Sequence, residues 1–425
     1  MIFENWLEEE ISSLPILIAD GNYSSKYPKA EEFIHKGIPF ISARDINGRD
    51  ISRNDIKYIN QELHNKLTKG HTKENDVLIS VRGTIGRIGF IKKEFENSNL
   101  NAQMALLRAD PKVVNPLFLY YFLSNPSTQA KIIALGSGSA QPQLPLHSLR
   151  KLRIVLPPLI EQEKIACLLS TIEDKIELNN KIIKTLEEMA QVIFKSWFVE
   201  LEPFKETAVS SEYFEDLPKK WTYRNLVELC AQIRPGTNYQ PDRLTEGIPF
   251  LNVKNINKGF IDFDDVKFIS FDDYRKVHKN WTPCENDILI SRIGTLGLVA
   301  VIRKEDLPVA VHYNFIDIKC DKVPHYFFYF LLKSDYFQQK YNTIKKQSVQ
   351  EYVTIDDVSQ IKIHFPDDTT LLNELFDKLK SIFELIINNQ REVRCLTKIR
   401  DSLLPKLMSG DIRVPILEDT YAEIR

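Results

Sequence analysis

Short runs of aliphatic and β-branched residues, DVLISV at 76–81, RIGFI at 87–91 and MALLR at 104–108, alternate with glycine, asparagine and charged residues. Runs of this length between turn formers predict strands. Two denser apolar stretches, LFLYYFLS at 117–124 and YFFYFLLKS at 326–334, have helical length, and their aromatics are expected in a core rather than stacked on a ligand. Together these patterns predict two compact α/β modules, each closed by an aromatic helix.

After each module the period changes. From Ile165 an apolar stripe advances by four and three residues through Leu169, Ile172, Ile176, Asn179, Ile183, Leu186, Ala190 and Ile193. A second stripe runs through Leu375, Leu379, Ile382, Ile386, Asn389, Val393, Leu396, Arg400 and Leu403. A 3.5-residue repeat held this long predicts a coiled-coil seam. Pro157 and Pro158 precede the first helix, and Asp367, Asp368, Thr369 and Thr370 offer caps for the second. Asn179 and Asn389 each occupy the midpoint of their stripe, so antiparallel pairing is expected to set them opposite one another as register residues. A helix over 161–198 would measure about 57 Å at 1.5 Å per residue.

The chain also repeats itself. ENDVLIS at 74–80 returns as ENDILIS at 285–291, GTIG at 83–86 as GTLG at 294–297, and GIPF at Gly37 again at Gly247. LRIVLP ending at Pro157 is matched by IKIHFP ending at Pro366, and Trp6 and Trp221 each stand fifteen residues before a glycine, Gly21 and Gly236. The expected architecture is therefore mixed α/β: two similar globular modules separated by two long antiparallel helices that form a coiled coil, with a pseudo-twofold internal repeat. The boundaries read from the pattern are a first module over 1–158, a first spacer helix over 159–200, a second module over 201–368, and a second helix with its tail over 369–425.

Composition narrows the chemistry. Lys plus Arg number 56 against 58 Asp plus Glu, a net charge of −2, so affinity for nucleic acid would have to come from local patches. Residues 21–155 hold 20 basic against 11 acidic side chains, 20 − 11 = +9, whereas 221–366 hold 19 against 18, 19 − 18 = +1. Five scattered cysteines with no CxxC pair argue against a disulfide framework or a zinc ribbon and suit a reducing, cytoplasmic setting, and neither a signal peptide nor a membrane anchor is expected. No GxxxxGK[ST], HExxH or [DN]PP[YF] motif is present, and GTIGRIG at 83–89 has the spacing of a tight turn rather than of a dinucleotide site. No metal ligands or catalytic residues are expected.

Two related modules on a helical spacer have the geometry of a protein that reads two half-sites on duplex DNA. Since Arg and Lys read guanine while Asn and Gln read adenine, polar loops carrying them are the candidate DNA contacts. In the first module these are Arg44, Asn47, Arg49, Arg53, Arg82, Arg87, Gln141 and Gln143. In the second they are Lys254, Asn255, Asn257, Lys258, Arg292, Lys345, Lys346, Gln347 and Gln350. Ile182, Met189, Trp197 and Phe198 on the first helix, with Leu404 and Leu407 on the second, exceed what one helix pair can cover, so they are candidates for docking partner helices.

Three phrases carry a resemblance: LPPLIEQEKI at 156–165, IFKSWFVELEPF at 193–204 and IRDSLLPKLMSGDIRV at 399–414. By these, and over essentially its full length, the chain resembles the specificity subunit of a type I restriction-modification system. The resemblance implies a DNA-reading adaptor with two target-recognition domains and no catalytic centre or cofactor of its own. It implies double-stranded DNA, two adenine-methyltransferase subunits and ATP-dependent translocase-nuclease subunits as partners; S-adenosylmethionine, ATP and Mg belong to those partners. The rival reading is a non-catalytic coiled-coil scaffold whose modules bind peptides or small ligands.

Overall fold

The structure, a computed structural model, describes residues 5–22, 27–138, 142–207, 217–218, 220–257, 259–346 and 350–415. It divides into two compact units, Met1–Glu177 with Val393–Arg425, and Leu178–Glu392.

In the first unit, strands Ile16–Asp20, Met104–Ala109, Val77–Ser80 and Ile88–Phe90 form one sheet in that order, each pair antiparallel. A smaller sheet sets Ile38–Ile41 between Lys57–Ile59, antiparallel, and Asn99–Leu100, parallel. The module is drawn shut by Leu7–Glu10 pairing with Arg153–Leu156, immediately before the long helix. Helix Pro116–Ser124 begins with proline in its first turn and the Asn115 side chain accepting from Phe118 N; its residues Phe118–Leu123 are buried against the four-stranded sheet, as the apolar run predicts.

The second unit repeats this plan. Gln232–Pro235, Phe315–Lys319, Ile288–Ser291 and Val299–Val301 form its four-stranded sheet, and Ile248–Leu251 lies between Lys267–Ile269 and Ala310–Val311. The reason ENDxLIS is written twice lies in its backbone. Asn75 and Asn286 adopt φ of 71° and 70°, a left-handed conformation that asparagine tolerates. The next residue, Asp76 or Asp287, is buried, and its carboxylate accepts from the backbone N of Lys73 or Cys284. The closing serine holds the glycine turn: Ser80 Oγ donates to Thr84 O and accepts from Arg87 N, and Ser291 Oγ does the same with Thr295 and Leu298.

The copies diverge in how that aspartate is neutralised. Arg108, from the central strand, donates two bonds of 2.7 Å to Asp76. In the second unit a different strand supplies the cation: Arg234 bridges Asp287 at 3.0 Å and Asp317 at 2.8 Å. Burial raises both of these carboxyls, and Asp317, with Asp287 beside it, is pushed up to about 7.

The long helices are continuous over Leu159–Phe194, extended by a wider turn at Lys195–Val199, and over Asn373–Ser409. Asp368 caps a short turn ahead of the second, accepting from Thr370 N. Every residue of both predicted stripes is buried or half-buried. In the first unit Ile165 and Leu169 share a core with Leu404, Leu407 and Met408, and Arg400 lies 3.7 Å from Glu173, so these helix segments run antiparallel. In the second unit Asn179 Nδ2 donates to Glu392 at 2.8 Å and Lys378 lies over Trp197, so these segments run antiparallel as well.

Two expectations for the helices need correction. Asn389 is not bonded to Asn179; it is half-buried and donates to Leu385 O of its own helix, while Asn179 Nδ2 donates to Glu392 and the buried Gln390 accepts from Arg303. Of the docking candidates, Phe198 is fully buried among Phe194, Phe327 and His364, while Leu404 and Leu407 belong to the first unit's core. Their apolar surface is consumed inside the chain. Trp197 is half-buried beneath the Lys378 ammonium, Ile182 is half-buried, and only Met189, 50% exposed, remains open.

Candidate nucleic-acid interface

In the first unit the strand Ile38–Ile41 ends in a loop whose polar atoms are tied to each other: Asp45 accepts from both Ser42 N and Ser42 Oγ. Alongside, Asn101 N is bonded to Ile41 O, and Asn101 Oδ1 accepts from Gln103 N. These two segments and residues 52–57 surround a cavity of about 620 Å³. Tyr27, Phe33 and Phe40 form its aromatic side; Arg44, Asn101, Gln103 and Lys57 form the polar one. Tyr27 and Phe33 meet Phe40 edge-on at 5.5 and 5.6 Å, and Lys57 Nζ sits 4.6 Å from the Phe33 ring centre. Aromatic faces beside amide and cationic groups can both stack on and hydrogen-bond to bases.

The corresponding place in the second unit has the same backbone and different side chains. His312 N bonds Leu251 O as Asn101 N bonds Ile41 O, and Asn314 O accepts from Arg292 N as Gln103 O accepts from Val81 N. Thus His312 and Asn314 stand where the first unit has Asn101 and Gln103. Asn314 Nδ2 donates to Asn252 Oδ1 at 3.1 Å, and the Arg243 guanidinium lies 4.2 Å over Phe250. Burial, reinforced by the Arg243 charge, holds His312 below the usual imidazole range. It is therefore neutral near pH 7, with one ring nitrogen to donate and one to accept.

The predicted contacts divide accordingly. Arg44, Asn47, Arg53 and Arg87 are exposed, with Arg53 lying 4.6 Å over the Phe95 ring and Arg87 donating to Ala43 O. Arg82 and Gln143 are brought together across a β-bridge, and with its amide turned toward the guanidinium Gln143 accepts two bonds of 3.2 Å. Lys254 is exposed, reaching Asp265 O. Lys345 and Lys346 are ion-paired with Glu351 and Asp357, and Gln350 is exposed. Gln141, Lys258 and Gln347 lie outside the described residues, as does the side chain of Asn257.

Two expected contacts are framework instead. Arg49 is only 7% exposed and is turned onto the first long helix, bonded to Asp174 and to Glu177. Asn255, 1% exposed, holds its own loop by donating to Asp262 O and accepting from Asn252 N. Arg292 stands at the position of Val81, one residue before the equivalent of Arg82, with its backbone bonded to Asn314 and Val353 and its side chain half-buried. Conversely, charge and amide content alone missed Tyr27, Phe33, Asn101, Gln103, Arg243, His312 and Asn314. Aligning the repeat would have found two of these pairs, Asn101 with Gln103 and His312 with Asn314: NAQM at 101–104 and HYNF at 312–315 differ where the flanking strands agree in type.

No helix among the described residues is long and apolar enough to cross a membrane, and no group of three His, Cys, Asp or Glu side chains among them could hold a metal.

Comparison with known proteins bears on these two sites together. Residues 21–188 and 218–393 match the type I restriction modification DNA specificity domain, one copy in each half of the chain. The chain is 29% identical over 411 residues to the type I restriction enzyme MjaIX specificity subunit of Methanocaldococcus jannaschii, covering 92% of this chain and 90% of that one. It is 25% identical to the HindI specificity subunit of Haemophilus influenzae, covering 86% and 94%. The crystal structure of the type I restriction-modification S subunit from M. genitalium shares the fold with a TM-score of 0.60 at 19% identity, over 95% of this chain and 96% of that one.

Proposed function

The chain belongs to the type I restriction-modification DNA specificity family, and on that premise we propose that its two modules read the two different parts of a split DNA target. The carrying observation is a shared framework with unlike reading positions. Both units bury the aspartate of ENDxLIS and hold the same glycine turn, yet Ser42, Arg44, Asn101 and Gln103 in one are Asn252, Lys254, His312 and Asn314 in the other. Identical frames with different donors and acceptors present different hydrogen-bond patterns to base edges. The half-sites should therefore be unlike, and the whole target asymmetric.

The subunit itself is not an enzyme: it supplies the address. Two adenine-methyltransferase subunits and the translocase-nuclease subunits carry out the chemistry, with S-adenosylmethionine, ATP and Mg bound by them. On this reading the complex works in the cytoplasm, on the cell's own and incoming DNA. The scaffold alternative is not favoured, because the family matched by both halves is defined by DNA specificity. Co-expression with the methyltransferase subunits, followed by mapping of methylated adenines, should return one split target with unlike halves. A palindromic target would refute independent reading by the two modules.

A further inference from the structure

The hairpin between the two cavity-lining segments of the first unit points its tip away from the cavity and onto the long helix. Ile46–Asn47 pairs with Asp50–Ile51 around Gly48, whose φ of 60° lets the turn close. On one side the hairpin leads back to Ser42, Arg44 and Asp45; on the other it leads to Ser52, Asp55 and Lys57, all lining the cavity. Arg49, between them, lies against three carboxylates of one helical turn: Asp174, Glu177 at 3.0 Å and Glu173 at 3.7 Å. Lys92 adds a parallel tie, bonded to Asp50 of the hairpin and to Glu177 at 2.9 Å. Glu173 is in turn held by Tyr121 Oη at 3.0 Å.

We propose that Arg49 is a positioning residue that locks the reading loops of the first module to one turn of the first long helix and so sets the tolerated gap between the half-sites. The proposal rests on the split-target reading above. A guanidinium fork on side chains at i, i+1 and i+4 resists both rotation about the helix and sliding along it, because either motion separates a buried cation from its carboxylates. One helical turn is about 5.4 Å, whereas one DNA base pair rises about 3.4 Å, so even partial slippage moves the loops by a base pair. Base-reading side chains are not altered by releasing the lock.

The test uses the chain assembled with its methyltransferase subunits and a DNA library in which the two half-sites are fixed and the gap varies. Glu177→Gln, which removes one charge shared by Arg49 and Lys92, and Arg49→Lys, which keeps the charge and loses the fork, are compared with the unaltered chain. The unaltered complex should methylate one gap. Both variants should raise methylation at gaps one base pair shorter and longer by at least about tenfold relative to the preferred gap, a change of about 1.4 kcal/mol, with unchanged half-site letters. A folded variant that keeps the single gap overturns the proposal, and so does one that loses all methylation or changes the letters. If the unaltered complex shows no split target, the functional reading fails instead.

Discussion

Replacing the repeated aspartate by asparagine should have unlike consequences in the two units, although the surrounding words are nearly identical. Asp76 is fully buried and is the carboxylate that Arg108 grips through two bonds of 2.7 Å. Asp76→Asn removes the charge and leaves at most one of those bonds. Breaking a buried pair costs about 3–5 kcal/mol, but Arg108 is 28% exposed and can recover water, so about 2 kcal/mol is expected. For a unit of this size that is roughly 4–8 °C in melting temperature. Asp287, by contrast, shares Arg234 with Asp317, and two carboxylates compete for one cation. Asp287→Asn relieves that repulsion and should change stability by less than about 1 kcal/mol at neutral pH. The pH dependence follows from the raised folded-state values of Asp287 and Asp317. A carboxyl that binds its proton more tightly when folded stabilises the native state below its unfolded pKa, and that contribution is lost as pH rises through the folded value, here near 7 for Asp317. The second unit should therefore lose stability between about pH 4 and 7, and Asp287→Asn should flatten that slope. Urea unfolding of the full chain at pH 5 and pH 8, followed by circular dichroism, measures both effects. Equal losses from the two substitutions would refute the account of how each aspartate is neutralised.

Gln103→Ala should weaken discrimination in one half-site by about 1–3 kcal/mol, roughly 5- to 150-fold, and leave the other half unchanged, while Asn314→Ala should do the reverse; methylation mapping on half-site libraries reads both. Leu407→Ala, at a fully buried position, should destabilise the first unit by about 2–5 kcal/mol in calorimetry. Met189→Ala, at a half-exposed one, should stay within about 0.5 kcal/mol yet weaken assembly with methyltransferase subunits in sedimentation; unchanged assembly would remove Met189 from the docking surface. The purified chain alone should neither cleave nor methylate DNA with any added nucleotide or S-adenosylmethionine, as a strand-scission and methyl-transfer assay would show.

Local pattern determined the elements and the duplication. A strand needs a short apolar run and turn formers at its ends, and a long helix needs a seam, so DVLISV, LFLYYFLS and both 3.5-residue stripes could be read directly; each is written within consecutive residues. The register asparagines show where that reading stops. Equal distance from the stripe ends set Asn179 against Asn389, but register depends on how every side chain along both helices packs, and the structure gives Asn179 to Glu392 and turns Asn389 back on its own helix. The same limit governs the site. Arg44 and Arg49 are five residues apart and equally basic, yet one is exposed at the cavity and the other is buried on the helix, because the hairpin turns at Gly48 and Asp174 and Glu177 come from far along the chain. Phe198 and Leu407 read as spare apolar surface until the folded units supplied the neighbours that cover them. Residue type and spacing are properties of the chain; which side chains find a buried partner depends on contacts between distant segments, and only tertiary packing decides those.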